Sequence, residues 1–443
     1  MSETSSRTPP PPAGETEVGS VFVSNYPPYS FWRDEALSDL DRRLASPPEA
    51  GATFGLYLHV PFCRKRCKFC YFRVYTDRDS KQIARYLSGL AGEVERCLQH
   101  PAFAARAPEF IYFGGGTPSF LSVRQIEALV GRLRGAVEWD AAQEITFECE
   151  PGTLSAPKLE ALRGIGVNRL SLGVESFNDE ILAENGRAHL SAEIERVVPW
   201  IAALDFDQLN IDLIAGMVGE TWESWRESVH RTLEIEPESI TIYQMELPFN
   251  TVYSSEVIGG TRPMPVAGWD LKRDWHTWAF EQMEAAGYEV SSSYTMVRRE
   301  RPGRFVYRDA VWHGCDMLGA GVASFSHLGG IHFQNLASWE PYLTRVEAGR
   351  MPVERAFATS AEDRLVRETI LQLKLGHLSP DYFLEKFGVD IRDRFSASFD
   401  ELRAEGWMAD EMDSLRLTRR GLIQVDQLLP RFYAPEYRNA RYT

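Results

Sequence analysis

The chain has 443 residues, a formal net charge of −15 and six cysteines. That length holds two or three domains and an ample core. The acidic balance argues against a general nucleic-acid binder, and so few cysteines in so long a chain do not form a disulfide scaffold.

In chain order, Met1 to about Ser20 is polar and proline-rich, with Pro9 to Pro12 in a row, and is expected to be a disordered tail. Residues 21–52 contain Tyr26-Pro27-Pro28-Tyr29-Ser30-Phe31-Trp32. So aromatic a stretch reads as an extended arm packed on the core and a candidate cover for the active site. Over 53–250 short apolar runs alternate with amphipathic stretches. Strands are expected at 54–60, 110–113, 144–148, 169–173, 208–214 and 239–244, with helices such as 83–98, 123–133 and 222–233 between them. That alternation implies parallel strands with right-handed crossovers, an α/β class. Residues 251–360 read as an extension of this core on the substrate side. Residues 361–443 carry helical patterns at 365–375, 380–387 and 395–406, with a short strand at Leu415 to Thr418. No apolar run reaches membrane-spanning length and no apolar signal core opens the chain, so the expected location is the cytoplasm.

The chemistry concentrates in His59-Val60-Pro61-Phe62-Cys63-Arg64-Lys65-Arg66-Cys67-Lys68-Phe69-Cys70. Cys63, Cys67 and Cys70 lie on the loop after the first strand and can converge on one inorganic centre. Tetrahedral zinc and ordinary electron-transfer clusters want four protein ligands. Three cysteines on a four-iron cluster leave one iron open to bind and activate a small molecule. The alternative is a zinc knuckle with His59 as its fourth ligand.

The spacing Cys-x3-Cys-x2-Cys, with Tyr57 six residues before it and Phe69 before the third cysteine, resembles the radical SAM superfamily. Gly114-Gly115-Gly116-Thr117-Pro118, Phe147-Glu148-Cys149-Glu150-Pro151, Leu172-Gly173-Val174-Glu175-Ser176 and Asn210-Ile211-Asp212 follow in an order similar to the branch of oxygen-independent coproporphyrinogen III oxidase, the heme chaperones and the HemN-like methyltransferases. The resemblance implies a partial (β/α)6 barrel with its chemistry at the C-terminal strand ends, an N-terminal arm and a C-terminal winged-helix-like domain. It implies a [4Fe-4S] cluster on Cys63, Cys67 and Cys70, one or two molecules of S-adenosylmethionine, and a flavodoxin- or ferredoxin-type electron donor. In this family the cluster cleaves S-adenosylmethionine to a 5′-deoxyadenosyl radical. The residues matched to S-adenosylmethionine are Tyr57, Phe69, Gly115, Gly116, Thr117, Glu148, Glu175, Arg187 and Asp212. Glycines let a backbone approach a ligand closely, carboxylates at strand ends can pair with its ammonium or ribose, and Arg187 can clamp a carboxylate. Glu175 departs from the usual Gln, exchanging two donors for a charge.

Small departures bear on the reaction. The dehydrogenases carry Cys-Gly-Cys at the third ligand, whereas Tyr71-Phe72 follows Cys70 here. The chaperones carry His-Asn-x-x-Tyr-Trp, whereas this chain has Tyr307-Arg308-Asp309-Ala310-Val311-Trp312. The expected function is therefore methyl or methylene transfer to an sp2 carbon of a ring substrate such as a tetrapyrrole, quinone or natural product. Oxidative decarboxylation of coproporphyrinogen in porphyrin biosynthesis, and heme carriage, are the alternatives. His327 and Cys315 are the candidates for proton or hydrogen-atom transfer, and Cys97 and Cys149 are expected to be core or loop thiols.

Overall fold

The structure is a computed structural model that describes residues 14–410, 415–438 and 440. The strands are β1 Phe54–Val60, β2 Phe110–Gly115, β3 Glu144–Cys149, β4 Arg169–Glu175, β5 Gln208–Ala215, β6 Ser239–Gln244, β7 Tyr288–Val290, β8 Thr295–Arg298, β9 Asp316–Ala320, β10 Phe325–Leu328, β11 Ile331–Asn335 and β12 Val353–Ala358. They form one sheet in the order β12-β11-β10-β9-β1-β2-β3-β4-β5-β6-β8-β7. β1 to β6 pair successively in parallel, and the sheet does not close. This is the α/β class that the alternating pattern implies, in the open barrel arrangement that the resemblance implies.

Parallel strands covered on both faces read as continuous apolar runs. These alternate instead. Leu56, Leu58, Ile111, Phe113, Ile145, Phe147, Leu170, Leu172, Ile211 and Leu213 are buried in the main apolar core. The residues between them are polar and share the other face. Asn210 Nδ2 donates to Ser171 Oγ (3.0 Å) and Asp212 Oδ1 (2.9 Å), Ser171 donates to Asp212 Oδ2 (2.9 Å), and Ser239 and Thr241 each donate to Asn210 Oδ1 (2.9 Å). One face thus packs against the crossover helices, while the other lines a polar cup.

The crossover helices begin where side chains satisfy their free N–H groups. Asp79 caps Ser80–Cys97, Ser122 caps Val123–Leu133 and Thr221 caps Trp222–Ile235, each as a capping box.

Residues 251–360 extend the sheet at both edges. β8 pairs antiparallel with β6, while β9 runs parallel to β1 and leads into β10, β11 and β12. Val306–Trp312 is a short helix against the cup's lower end. Glu144 at the start of β3 accepts the N–H groups of Val306 (2.8 Å) and Tyr307 (3.3 Å), and the Tyr307 ring lies 4.4 Å from Tyr112.

Residues 1–13 lie outside the described residues, so most of the expected disordered tail is not in view. From residue 14 the chain packs on the core: Gly14 C=O accepts from Trp269 N–H (2.7 Å), and buried Lys272 donates to Thr16 Oγ1 (2.9 Å). Further on, Ser20 bonds Glu246, Val23 N–H donates to Asp426 (3.0 Å), and Tyr26 and Trp32 are fully buried. The arm therefore runs over the C-terminal end of β6 and under the last segment of the chain. That segment has helices at Ala361–Leu373, Pro380–Phe387 and Ser396–Ala404. Where a strand was expected at 415–418, there are only isolated bridges, Arg416 to His377 and Leu417 to Met408. Among the described residues no helix is long and apolar enough to cross a membrane.

Candidate active site

The cysteine loop leaves the top of β1 and is fastened on both sides. Cys63 N–H donates to Tyr75 C=O (3.1 Å), and Thr117 Oγ1 stands 3.3 Å from Cys63 Sγ. Arg187 Nη1 lies 3.5 Å from Cys67 Sγ, and Lys68 N–H donates to Asn185 C=O (3.0 Å). Burial, with the charge of Cys67 and Cys70 on Cys63 and of Cys67 on Cys70, pushes Cys63 up to about 12 and Cys70 up to about 11. Free in the apo chain, the Cys63 and Cys70 thiols are neutral. A cationic metal centre reverses that by binding thiolate. Three soft sulfur donors on one short loop fit an iron–sulfur cluster, which is wider than a single ion.

His59 does not supply a fourth ligand. Its ring is buried against Gly115 and its Nδ1 stands 3.5 Å from the Tyr57 hydroxyl. Among the described residues no three His, Cys, Asp or Glu side chains close on a single-ion centre.

Below the loop, the strand ends bring three carboxyls into the cup. Glu148 on β3 accepts from Tyr112 OH (2.8 Å) and Gly115 N–H (3.0 Å). Asp212 on β5 accepts from Ser171 and Asn210. Glu175 ends β4 at a register shift, with a left-handed φ of 67°, and its carboxylate lies 3.5 Å from Arg187. Burial and the neighbouring acids raise Glu148 and Glu175 to about 7, and burial raises Asp212 to about 6. Arg187 also donates to Gly173 C=O (2.6 Å), and its Nε is buried without a partner. Arg169 rises from the start of β4 with its guanidinium 3.9 Å from the Phe305 ring centre. A cup with three pressed carboxyls fits a cationic ligand such as a sulfonium bearing an ammonium group.

Tyr57 faces the same space, its ring 5.7 Å from Tyr112. Phe69 does not. It packs beside the apolar cluster of Ile181, Ile214, Met217 and Val218, where it anchors the loop.

The glycine run also has a packing role that the sequence did not show. The space a Cβ would take at Gly114 is held by the Tyr112 and Tyr57 side chains, at Gly115 by the His59 ring, and at Gly116 by the Pro61 and Phe62 backbone. Gly115 also has φ 113°. These glycines let β2 and the cysteine loop close on β1, and the Gly115 N–H is spent on Glu148.

Cys315 and His327 are corrected too. Cys315 precedes β9, whose first residue pairs with Phe54 at the start of β1, so it lies at the end of the sheet opposite the cysteine loop. It is packed with Phe110 and Tyr112, and His327 Nδ1 stands 3.3 Å from its carbonyl. His332 stacks on Trp32 at 5.3 Å. Desolvation lowers both histidines, His327 to about 3. They are neutral core residues.

Sequence reasoning missed Tyr112, Arg169, Ser171, Asn210 and Tyr243 as cup residues. The polar half of each strand's alternation is the pattern that carries them. It also missed the rim. Tyr71, Phe72, Tyr243 and Phe249 are 37 to 46 % exposed, the Tyr71 and Phe72 rings stack at 4.4 Å, and Asn250 Nδ2 donates to Tyr71 C=O (2.7 Å). Large exposed aromatics gathered at a cleft mark a binding surface.

Residues 57–232 match the radical SAM superfamily. The chain is 26% identical over 415 residues to an oxygen-independent coproporphyrinogen III oxidase of Pseudomonas aeruginosa, covering 89% of each, and 25% identical over 383 residues to the heme chaperone HemW of Bacillus subtilis, covering 85% of this chain and 98% of that one. Its fold matches the solved coproporphyrinogen III oxidase (HemN) of Escherichia coli with a TM-score of 0.80 at 24% identity, covering 93% and 96%. The cysteine loop and the acidic cup coincide with the stretch that matches the superfamily, whose cofactors are a [4Fe-4S] cluster and S-adenosylmethionine. Residues 57–232 are thus a radical SAM domain, in a chain that is similar along most of its length to HemN and HemW.

Proposed function

We propose that this radical SAM protein is an enzyme that transfers a methyl or methylene group to an sp2 carbon of an apolar ring substrate. The supporting observation is the charge of the cup. Glu148, Glu175 and Asp212 face it together and stay near 6 to 7, with Arg187 and Arg169 the nearest cations. Three carboxylates against these two arginines leave a net charge of about −1, which suits the net +1 of one S-adenosylmethionine, the source of the radical that starts the transfer. The aromatic rim suits an uncharged ring.

When bound, the cluster and S-adenosylmethionine supply the carbon radical. The chain's own part is to hold and enclose. Cys63, Cys67 and Cys70 are the cluster ligands, with Thr117 and Arg187 against their sulfurs. Glu148, Glu175 and Asp212 pair with cationic groups and orient them. Tyr57, Tyr112 and Tyr243 line the path, and the arm at Ser20 and Val21, tied to Glu246, stands over its edge and limits entry of water. Reduced thiols suit a cytoplasmic setting with a flavodoxin- or ferredoxin-type donor.

A second reading, oxidation of coproporphyrinogen, is favoured by the names of the full-length relatives. Its substrate carries four carboxylates, which would have to pass three more in the cup. Heme carriage has less support, because His327 and His332 are packed inside the core against Cys315 C=O, Tyr26 C=O and the Trp32 ring. Anaerobic turnover with methyl-deuterated S-adenosylmethionine tests these readings. Label in the product, with S-adenosylhomocysteine and 5′-deoxyadenosine, supports transfer. Carbon dioxide and a vinyl product from coproporphyrinogen overturn it, as does tight heme binding without either product.

A further inference from the structure

The cysteine loop is basic in an acidic chain. Arg64, Lys65, Arg66, Lys68 and Arg73 fall within residues 64–73, which hold no acid, while the whole chain has a net charge of −15. Two of the five cations are neutralised from within the fold. Arg64 Nη2 pairs with the Glu150 carboxylate (3.1 Å), and Lys68 Nζ stands 3.4 Å from Glu184 Oε1. Lys65, Arg66 and Arg73 are exposed, and among the described residues no carboxylate pairs with them.

These three stand around the third cysteine. Arg66 Nη2 donates to Cys70 C=O (3.1 Å) and to Asn250 C=O (2.9 Å). Arg73 follows Cys70 so closely that even extended chain separates them by at most about 11 Å. Its segment is tied beside the start of the loop, where Tyr75 N–H donates to Pro61 C=O (2.7 Å) and Cys63 N–H to Tyr75 C=O (3.1 Å). A partner seated on these cations therefore lies against the backbone of a cluster ligand, a few covalent bonds from its sulfur.

The kind of partner follows from the kind of charge. A small carboxylate is selected by guanidinium forks that converge on it. Here the cations are separate and exposed, and Arg66 already spends one nitrogen on two carbonyls. Dispersed charge acts through its field, which speeds encounters between folded proteins of opposite sign. A nucleic acid needs a longer basic surface, and the rest of this chain repels a polyanion. Small charged patches suit brief redox encounters, which bury less surface than stable complexes. The site also needs an electron from outside. Cys97, Cys149 and Cys315 are each buried, and among the described residues they form no second centre that could relay one.

We propose that Lys65, Arg66 and Arg73 are the docking cations for an acidic electron-donor protein, which seats over Cys70. At each encounter the donor is oxidised by one electron and the cluster is reduced by one. The proposal rests on the cysteine loop being the cluster site.

The test uses a purified acidic flavodoxin and begins with the apo chain. Calorimetric titration should show an affinity that falls about tenfold between about 20 mM and about 200 mM salt, as screening of charge requires. Lys65→Glu and Arg73→Glu should each weaken binding about five-fold or more, and the double variant about twenty-five-fold. Arg350→Glu makes the same change of charge elsewhere, beside Met351, whose sulfur lies 3.4 Å from that of Cys97 at the far end of Ser80–Cys97. It should leave the affinity within about two-fold of wild type. After anaerobic reconstitution, loss of visible absorption reads reduction of the cluster. The double variant should be reduced at under about one-fifth of the wild-type rate by reduced flavodoxin, and at the wild-type rate by photoreduced 5-deazariboflavin, which is small and has no charge to steer. No binding, salt-independent binding, or equal losses in Arg350→Glu and the loop variants would overturn the proposal. So would slower reduction by both reagents, which marks a disturbed loop. Loop variants that keep flavodoxin but lose coproporphyrinogen or duplex DNA would reassign the patch to other anions. A wild type without a cluster would defeat the radical SAM reading, while the apo titration still judges the docking surface.

Discussion

Glu175→Gln should stabilise the apo protein, and only at the alkaline side. The residue sits at a bulge in β4 with a left-handed backbone, its carboxyl facing Glu148 and Asp212 with Arg187 as its one close cation. Burial and the two neighbouring acids raise it from 4.5 to about 7. A raised carboxyl binds its proton more tightly in the folded state, so its stabilising contribution is full below about pH 4.5 and is lost as pH rises through about 7. At ~1.4 kcal/mol for each tenfold, the ionised form costs at most about 3 kcal/mol at pH 8 and about 1 kcal/mol at pH 5. Gln mimics the protonated form and removes that cost, so its advantage should be about 1–3 kcal/mol at pH 8 and under about 1 kcal/mol at pH 5. Urea unfolding of reduced apo protein at both pH values measures it. Equal stability at pH 8, or a less stable Gln variant there, would refute the picture of a pressed acidic cup. With the cluster in place, the same variant should still form 5′-deoxyadenosine but bind S-adenosylmethionine more weakly as the cup loses charge.

Replacing Cys63, Cys67 or Cys70 by Ala should each remove the iron-dependent visible absorption after reconstitution, while Cys97→Ala and Cys149→Ala, which alter buried core thiols, should retain it; full iron in a triplet variant would contradict the ligand assignment. Gly115→Val should lower apo stability by roughly 2–4 kcal/mol, since φ 113° strains a branched residue and its Cβ meets the His59 ring at 2.5 Å, and an unchanged melting temperature would disprove that packing role. Lys374→Met should cost about 3–5 kcal/mol, because the buried ammonium bonds Val23 C=O (2.5 Å) and pairs with Asp426 (2.7 Å), leaving that carboxylate stranded; faster proteolysis within residues 14–33 would report release of the arm, and wild-type resistance would argue against it.

The core of the site was legible because its determinants are local. Cysteine spacing needs only eight residues, and every one of the six parallel strands begins where the apolar run begins, with β1 and β6 matching at both ends. The alternation within those strands was also in the sequence, and it separates the packed face from the cup. Sequence could not say which glycine faces which neighbour. The Gly114 to Gly116 run looked like a ligand cradle, and only the pairing of β2 with β1 shows Tyr57, His59 and Phe62 in the vacant Cβ positions. Nor could it place 251–360, whose short strands join both edges of the sheet and whose Cys315 goes to the far end. The buried contact of Arg64, Glu150 and His189 is the clearest case. Arg64 and Glu150 are 86 residues apart, and Glu150 and His189 are 39 apart. Each looks like an ordinary surface charge in its own stretch. Parallel strands joined by right-handed crossovers bring the ends of β1, β3 and β4 to the same edge of the sheet, so residues distant in sequence share one low-dielectric space where charge pairing dominates. Local pattern determines which segments become strands and loops; which charges meet is decided only when the sheet has assembled.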